Sequence, residues 1–441
     1  MNKKRIISLM AIAALTGTTI FSAVPAFAES TGAKDADGNW VKEEATITLG
    51  MGATASNTGM EAVMELAEET LGITIEKVIV PEGEDLDNWL KTNLASGSAP
   101  DIISYNTGAQ LKSLNPSEYF ADLSGYDFVD NLDGSFIEAA SVDGKLYGVP
   151  AGSSQAGAIF YNKAIYEEYG LEIPKTWDEF IANCDVLKEA GETAIIGSYA
   201  EKWTTQVPLL ADNYNVVTAV PDFPAEFEAG DAKYATTPEA LRSWEKLEQS
   251  AQYFNSDYMA TSYDDGCDMI VNGDGAHWIM LTQAFSNIVD LYGDEVNNIG
   301  VFAMPGDDAD TNGLTVWMPG ALIANKNAEN LDAVLRFLDF FVSTEAMDAY
   351  TGAQSVNGPM CVKGYELPES TPEAIRVDLQ KYFDEGNTAP AMEFMCSVKG
   401  SNCPSICQEL GSGQTTAEEA AAKYDDDCYK MAVQLGIDWD N

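Results

Sequence analysis

Residues Asp143 to Ile181 constrain this chain more than any other stretch. Asp143-Gly144 is a tight turn. Leu146 to Val149 is a short extended run, stopped by Pro150. Residues 151–157 are small and polar, suited to passing between two packed bodies. Ala158-Ile159-Phe160-Tyr161 reads as a second strand. Thr176, with Glu179 three residues on, spells a capping box for a helix. Trp177, Phe180, Ile181, Cys184 and Leu187 then share one face of that helix. A chain punctuated in this way can leave one packed body and enter another.

The length of 441 residues allows two domains. Lys3, Lys4 and Arg5 precede an apolar run from Ile6 to Phe21, and Ala26-Phe27-Ala28 supplies small residues for cleavage. Residues 1–28 therefore read as a secretory signal peptide, not a membrane anchor. No other segment approaches the ~18 uninterrupted apolar residues of a membrane span. Losing those three cations would take the net charge from −46 to −49. Such a chain repels nucleic acid and anionic lipid, and its carboxylates read as a solvated surface. The odd count of seven cysteines leaves at least one thiol unpaired. Cys396, Cys403 and Cys407 cluster, and a disulfide among them is favoured over a zinc site, since no histidine is near. No cysteine stands at the cleavage junction, so a mature chain beginning near Glu29 is expected to carry no lipid.

Residues 29–45 are polar and read as a flexible leader. Thr46 to Leu49, Ile73 to Val80 and Pro100 to Ile103 read as strands. Between them, Met60, Val63, Met64, Ala67 and Leu71, then Leu86, Trp89, Leu90 and Leu94, recur at helical spacing. Strand and helix in alternation predict an α/β lobe with a mostly parallel sheet. Such sheets place ligands beyond the carboxyl ends of their strands. The loops 51–58, with Thr54 and Asn57, and 104–109, with Asn106, lie at those ends. Further on, Trp203 sits in a polar loop, a costly place unless something covers its face. His277 and Trp278 lie in an apolar run and read as core. Asp308, Asp310 and Asn312 imitate the front of a calcium loop, but the twelfth position is Pro319, not Glu. A solvated turn is expected there.

The stretch at 143–181 resembles the middle of the bacterial extracellular solute-binding proteins of family 1, the receptors of ABC importers for sugars. Ser98 to Ile103 with Ala121-Asp122-Leu123 is similar to that family's first lobe. Ile270 to Met280 resembles its segment F-x-x-G-x-A-A-M-x-x-x-G-x-W. Phe337 to Ser343 looks like the helix before its third crossing, and Gly413 to Ala420 like its C-terminal motif, where Thr416 and Glu419 form a second capping box. The resemblance spans about 46–439. It implies a two-lobed α/β fold of the periplasmic-binding-protein class II, with a ligand cleft between lobes joined by a multi-strand hinge. The lobes would comprise 46–155 plus 319–350, and 156–318 plus 351–441, crossing near 155, 318 and 350. In maltose-binding members an aromatic that stacks on sugar follows the third strand, and Tyr105 occupies that place. The register puts Gln283 where the family has a stacking Trp. Trp317 falls at the second crossing and Gln155 at the first.

The function implied is an exported receptor, extracellular or in the cell envelope. It would bind a small carbohydrate, an oligosaccharide by expectation, and deliver it to permease subunits as a monomer without cofactor. Sugars offer apolar C–H faces and hydroxyl edges, which aromatic planes and polar side chains match. The candidate ligand residues are Thr54, Asn57, Tyr105, Asn106, Gln155, Trp203, Gln283 and Trp317, with no metal ligand. A secreted glycan hydrolase or a surface adhesin is the alternative. A single histidine excludes most Ser-His and Cys-His machinery, and no P-loop, G-x-S-x-G or H-E-x-x-H occurs. Paired carboxylates for glycoside hydrolysis stay open, because 70 acidic residues offer many pairs.

Overall fold

The structure is a computed structural model and describes residues 29–52, 58–81 and 84–439. The signal-peptide segment, Thr54 and Asn57 lie outside the described residues. Among the described residues no helix is long and apolar enough to cross a membrane.

The strands in chain order are β1 (Ala45–Gly52), β2 (Ile73–Val80), β3 (Ile102–Tyr105), β4 (Ser141–Val142), β5 (Lys145–Leu146) and β6 (Gly148–Pro150). Then come β7 (Gln155–Asn162), β8 (His277–Leu281), β9 (Ile299–Ala303), β10 (Leu314–Trp317), β11 (Ala321–Ala324) and β12 (Thr388–Pro390). β4 and β5 form a hairpin whose turn is Asp143-Gly144, both in the left-handed region at φ 53° and 74°.

Two larger sheets define two lobes. The first has the order β2-β1-β3-β11-β6. β1 pairs in parallel with β2 and β3, as the alternating strand and helix pattern predicts. β11 and β6 then add antiparallel strands. The helix Thr58–Leu71 buries Met60, Val63, Met64, Ala67 and Leu71, the predicted stripe. The second sheet is built on β7, which pairs antiparallel with β8, β9 and β10, while β12 runs parallel beside β10. The helix Trp177–Ala190 covers one side of this lobe. Thr176 caps it by accepting from the Glu179 amide, and Trp177, Phe180, Cys184 and Leu187 are buried. Glu179 completes the cap differently from a capping box, reaching the Lys175 amide at 2.7 Å.

Three passages join the lobes. Residues 151–154 link β6 to β7, and residues 318–320 link β10 to β11. The third, expected at 350, is drawn out. After the helix Thr344–Ala353, the Pro359 carbonyl accepts from Ser154, the Cys361 carbonyl accepts from Asp133, and Lys363 donates to Asn131. Residues 359–363 therefore still lie against the first lobe and the first crossing.

Two expectations are corrected. Residues 29–45 are mostly exposed yet pinned at several points, not a loose leader: Trp40 meets Phe340 edge-on at 5.0 Å and donates to Glu345, and Thr31 donates to Asp339. One aromatic anchor outweighs a polar composition. All seven cysteines are free and buried. Cys403 and Cys407 stand one helical turn apart with sulfurs 4.0 Å from each other, as apolar side chains of the helix Cys403–Gly411. Their spacing follows the helix's buried face, so the cluster is core rather than a bridge.

Inside the second lobe, two buried polar groups are held by named partners. Asp212 accepts from Lys246 at 2.6 Å, Ser243 at 2.7 Å and Asn215 at 2.7 Å. His277 is fully buried, with Nδ1 2.7 Å from the Ala194 carbonyl and Nε2 2.8 Å from the Tyr166 hydroxyl. Nδ1 therefore donates and Nε2 accepts, which fixes the neutral ring. Burial holds its pKa down to about 4.

Candidate functional site

The crossing strands bring several expected residues together. Trp317 ends β10 directly opposite Gln155 at the start of β7. Two residues along β7, a Cβ at Gly157 would fall 2.7 Å from the Ala211 Cβ and 3.0 Å from the Trp317 ring. Glycine leaves the slot in which the indole rests. Beyond β8, Thr282 locks onto β7: its amide donates to the Ala156 carbonyl and its hydroxyl accepts from the Ala156 amide. The next residue, Gln283, is partly exposed and starts the helix Ala284–Tyr292. Gln155, Trp317 and Gln283 thus share the end of the second sheet where the chain crosses between lobes.

Residues that the sequence reading missed hold this end in place. β12 lies beside β10, pairing Val316 with Pro390, and the Ala391 amide donates to the Val316 carbonyl. The helix Met392–Met395 follows at once. Its Glu393 accepts from Trp317 Nε1 at 3.0 Å, and its second oxygen is paired with Lys399. Nothing local marks this contact in the sequence, because 76 residues separate its partners.

The lobes meet beside that helix. Gly108 has φ 67°, and a Cβ there would fall 2.6 Å from both Cα and the carbonyl oxygen of Phe394. Backbone approaches backbone, which only glycine permits. A hollow of about 340 Å³ opens here, with Lys112, Glu138 and Asp143 from the first lobe facing Asp222 and Glu228 from the second. Burial raises the Glu138 pKa. A second hollow, of about 570 Å³, lies between Thr58 on the first lobe and Phe285, Ser286 and Asp290 on the second, with Gln354 and Asn357 between. It adjoins Gln283 through Ala284 and Phe285, and Ser286 donates to Asn357.

The remaining expected residues fall differently. Tyr105 is only 3% exposed, and its hydroxyl donates to Asp87 at 2.5 Å. Its ring belongs to the first lobe's core, so the face expected to stack on a sugar is covered. Asn106 is exposed and donates to Gln110. Thr107, between Asn106 and Gly108, buries a hydroxyl oxygen that has no hydrogen-bond partner among the described residues. Trp203 is half-buried on Tyr263 (centroids 5.4 Å apart), which leans on Trp278 at 5.5 Å. Its cost in a polar loop is met by this stack. Trp278 and His277 are core, as expected. In the Asp308–Gly313 turn, Asp308 accepts from the Asp310 amide, and Asn312 donates to the Lys175 carbonyl.

Two mixed sheets, a multi-strand crossing and hollows walled by both lobes describe a two-lobed architecture. Comparison with known proteins agrees. The family model for bacterial extracellular solute-binding proteins matches residues 54–348. A multiple sugar-binding protein of Streptococcus mutans is 26% identical over 328 residues, covering 70% of this chain and 73% of the relative. The unliganded structure of RafE from Streptococcus pneumoniae superposes with a TM-score of 0.74 at 18% identity, covering 88% of this chain and 98% of RafE. A chitin oligosaccharide binding protein superposes at 0.62 with 22% identity, covering 88% and 98%. The family match spans well over half the sequence and the first two crossings, and the chain belongs to the bacterial extracellular solute-binding proteins.

Proposed function

We propose that this protein is the exported receptor of an ABC importer, taking a neutral oligosaccharide into the cleft between its lobes and presenting it to permease subunits as a monomer. The observation that carries this reading is the crossing itself: Trp317, its indole N–H held by Glu393, stands opposite Gln155 on β7, and Gln283 begins the helix that follows β8. An aromatic plane takes the C–H face of a sugar ring, and amides supply donors and acceptors for its hydroxyls. The names of the relatives, one a multiple sugar-binding protein and another a chitin oligosaccharide binding protein, support the ligand class.

The hollows refine it. The one beside Gly108 sets Glu138, Asp143, Asp222 and Glu228 against Lys112. A uronic acid or phosphorylated sugar would meet like charge there, so an uncharged glycan fits best. Asn106 and Trp203 remain candidates for the cleft walls, and Thr54 and Asn57 for the first-lobe loop. The ligand is bound and released unchanged, as in a receptor rather than a hydrolase. A thermal-shift screen with neutral mono- and oligosaccharides, set against uronic acid oligomers of equal length, tests this. Binding to the folded state raises the midpoint. Neutral oligosaccharides should raise it and be recovered intact. A shift with uronates alone, or cleavage of the glycan, would overturn the reading.

A further inference from the structure

We infer that Glu393 is a positioning residue whose task is to fix the plane of Trp317 for stacking on a sugar ring. The inference rests on the carbohydrate reading above and goes beyond it by assigning a role outside the ligand-contacting set. Trp317 is the last residue of β10, where a half-buried indole would otherwise choose among rotamers. Three features remove that choice. Gly157 and Ala211 leave a slot that holds the ring on one side. The indole N–H donates to Glu393 at 3.0 Å. Lys399 pairs with the other Glu393 oxygen, so the carboxylate is itself held. The pairing also offsets its charge, so that an acceptor is supplied without a further unpaired anion at the cleft.

The support for Glu393 is rigid on its far side. The helix Met392–Met395 is anchored by β12, and its Phe394 backbone lies against Gly108 of the opposite lobe. Binding gains when a contact surface is ordered before the ligand arrives, because less freedom is lost on association. A purely structural Glu393 would behave otherwise. Its side chain is 31% exposed and that of Lys399 39%, so the pair contributes little to folding.

The test uses the full chain with Glu393→Ala, Glu393→Gln and Trp317→Phe, singly and as the Glu393→Ala/Trp317→Phe double variant. The indole ¹⁵N–¹H resonance of Trp317 is assigned by its loss in Trp317→Phe and followed without ligand. Affinity is measured calorimetrically with raffinose, maltotriose and chitotriose. In Glu393→Ala the Trp317 resonance should move and its solvent exchange should quicken, with affinity falling about tenfold at an unchanged melting temperature. Glu393→Gln keeps an acceptor oxygen and should stay within about twofold of the parent. In the Trp317→Phe background, Glu393→Ala should have no further effect, since its role acts through the indole. An unaltered indole resonance in Glu393→Ala overturns the inference. So does an equal loss of affinity with and without Trp317. Should the parent bind none of the three sugars, the carbohydrate reading fails, and the indole resonance still decides whether Glu393 positions the ring.

Discussion

Two carboxylate–lysine pairs flank β10, and the fold treats them in opposite ways. Asp212 and Lys246 are 1% and 2% exposed, and Lys246 also donates to the Pro305 carbonyl. Glu393 and Lys399 sit at the crossing, about a third exposed, and their third partner is an indole rather than the backbone. The two are linked through one segment: Ala211 supports the Trp317 slot, and its carbonyl accepts from Thr315 of β10. The buried pair is closed to ligand and fixes the slab on which β10 lies. The edge pair leaves its aromatic partner partly in solvent. Polar residues of similar chemistry therefore hold the fold in one place and present a surface in the other.

Breaking the buried pair should cost most. Asp212→Ala strands the Lys246 ammonium in the interior, and a loss of about 3–5 kcal/mol is expected in urea unfolding. Asp212→Leu with Lys246→Met removes both charges and should recover much of that loss. If the single and double variants lose equally, the interior pair is not what the geometry says it is.

His277 sharpens the same contrast through pH. The buried ring stays neutral to about pH 4, whereas an unfolded histidine titrates near its ordinary value of 6.5. Its contribution is thus complete above pH 6.5 and is lost as pH falls toward 4, amounting to about 3 kcal/mol. Asp425 works the other way. Burial pushes its pKa up to about 6 from 3.8, so it favours the folded state increasingly as pH falls across that range. Unfolding free energy measured from pH 7 to 4 should fall less steeply in the parent than His277 alone requires. His277→Gln should reverse the trend, with stability rising on acidification through this window. An identical pH profile in parent and variant would contradict the assignment.

Two aromatics test the division at smaller scale. Tyr105→Ala opens the first lobe's core and should reduce stability by roughly 3 kcal/mol. Trp317→Ala should leave the melting temperature nearly unchanged and weaken sugar binding by about 1–3 kcal/mol. Calorimetry and thermal melts on both variants suffice. If Tyr105→Ala keeps its stability and loses binding instead, the ring is a ligand surface after all.

These contrasts show where the sequence was readable. The stripe Met60 to Leu71 and the cap at Thr176 were legible because periodicity and capping act within a few residues. The crossings at 151–154 and 318–320 were legible because small residues and proline interrupt strong strand patterns. Tyr105 was not, since an aromatic after a strand reads alike whether it faces a ligand or a helix; only the Asp87 contact decides. Trp203 was half legible: its polar loop called for a cover, and Tyr263, 60 residues away, supplies one. Glu393 was invisible, because its meeting with Trp317 depends on β12 pairing with β10. The cysteines misled because helical spacing on a buried face resembles a disulfide cluster when read as composition.

The central claim is that the ligand is held by both lobes at the crossing, with Trp317 and Gln155 at its middle. Hydrogen–deuterium exchange of the full chain, with and without a saturating neutral oligosaccharide, tests this most directly. The account predicts slowed exchange in peptides containing Asn106 to Gly108 of the first lobe and, together with them, Gln155 to Gly157, Gln283 to Ser286 and Trp317 to Gly320. Protection confined to one lobe, or protection that spares the crossing, would contradict it.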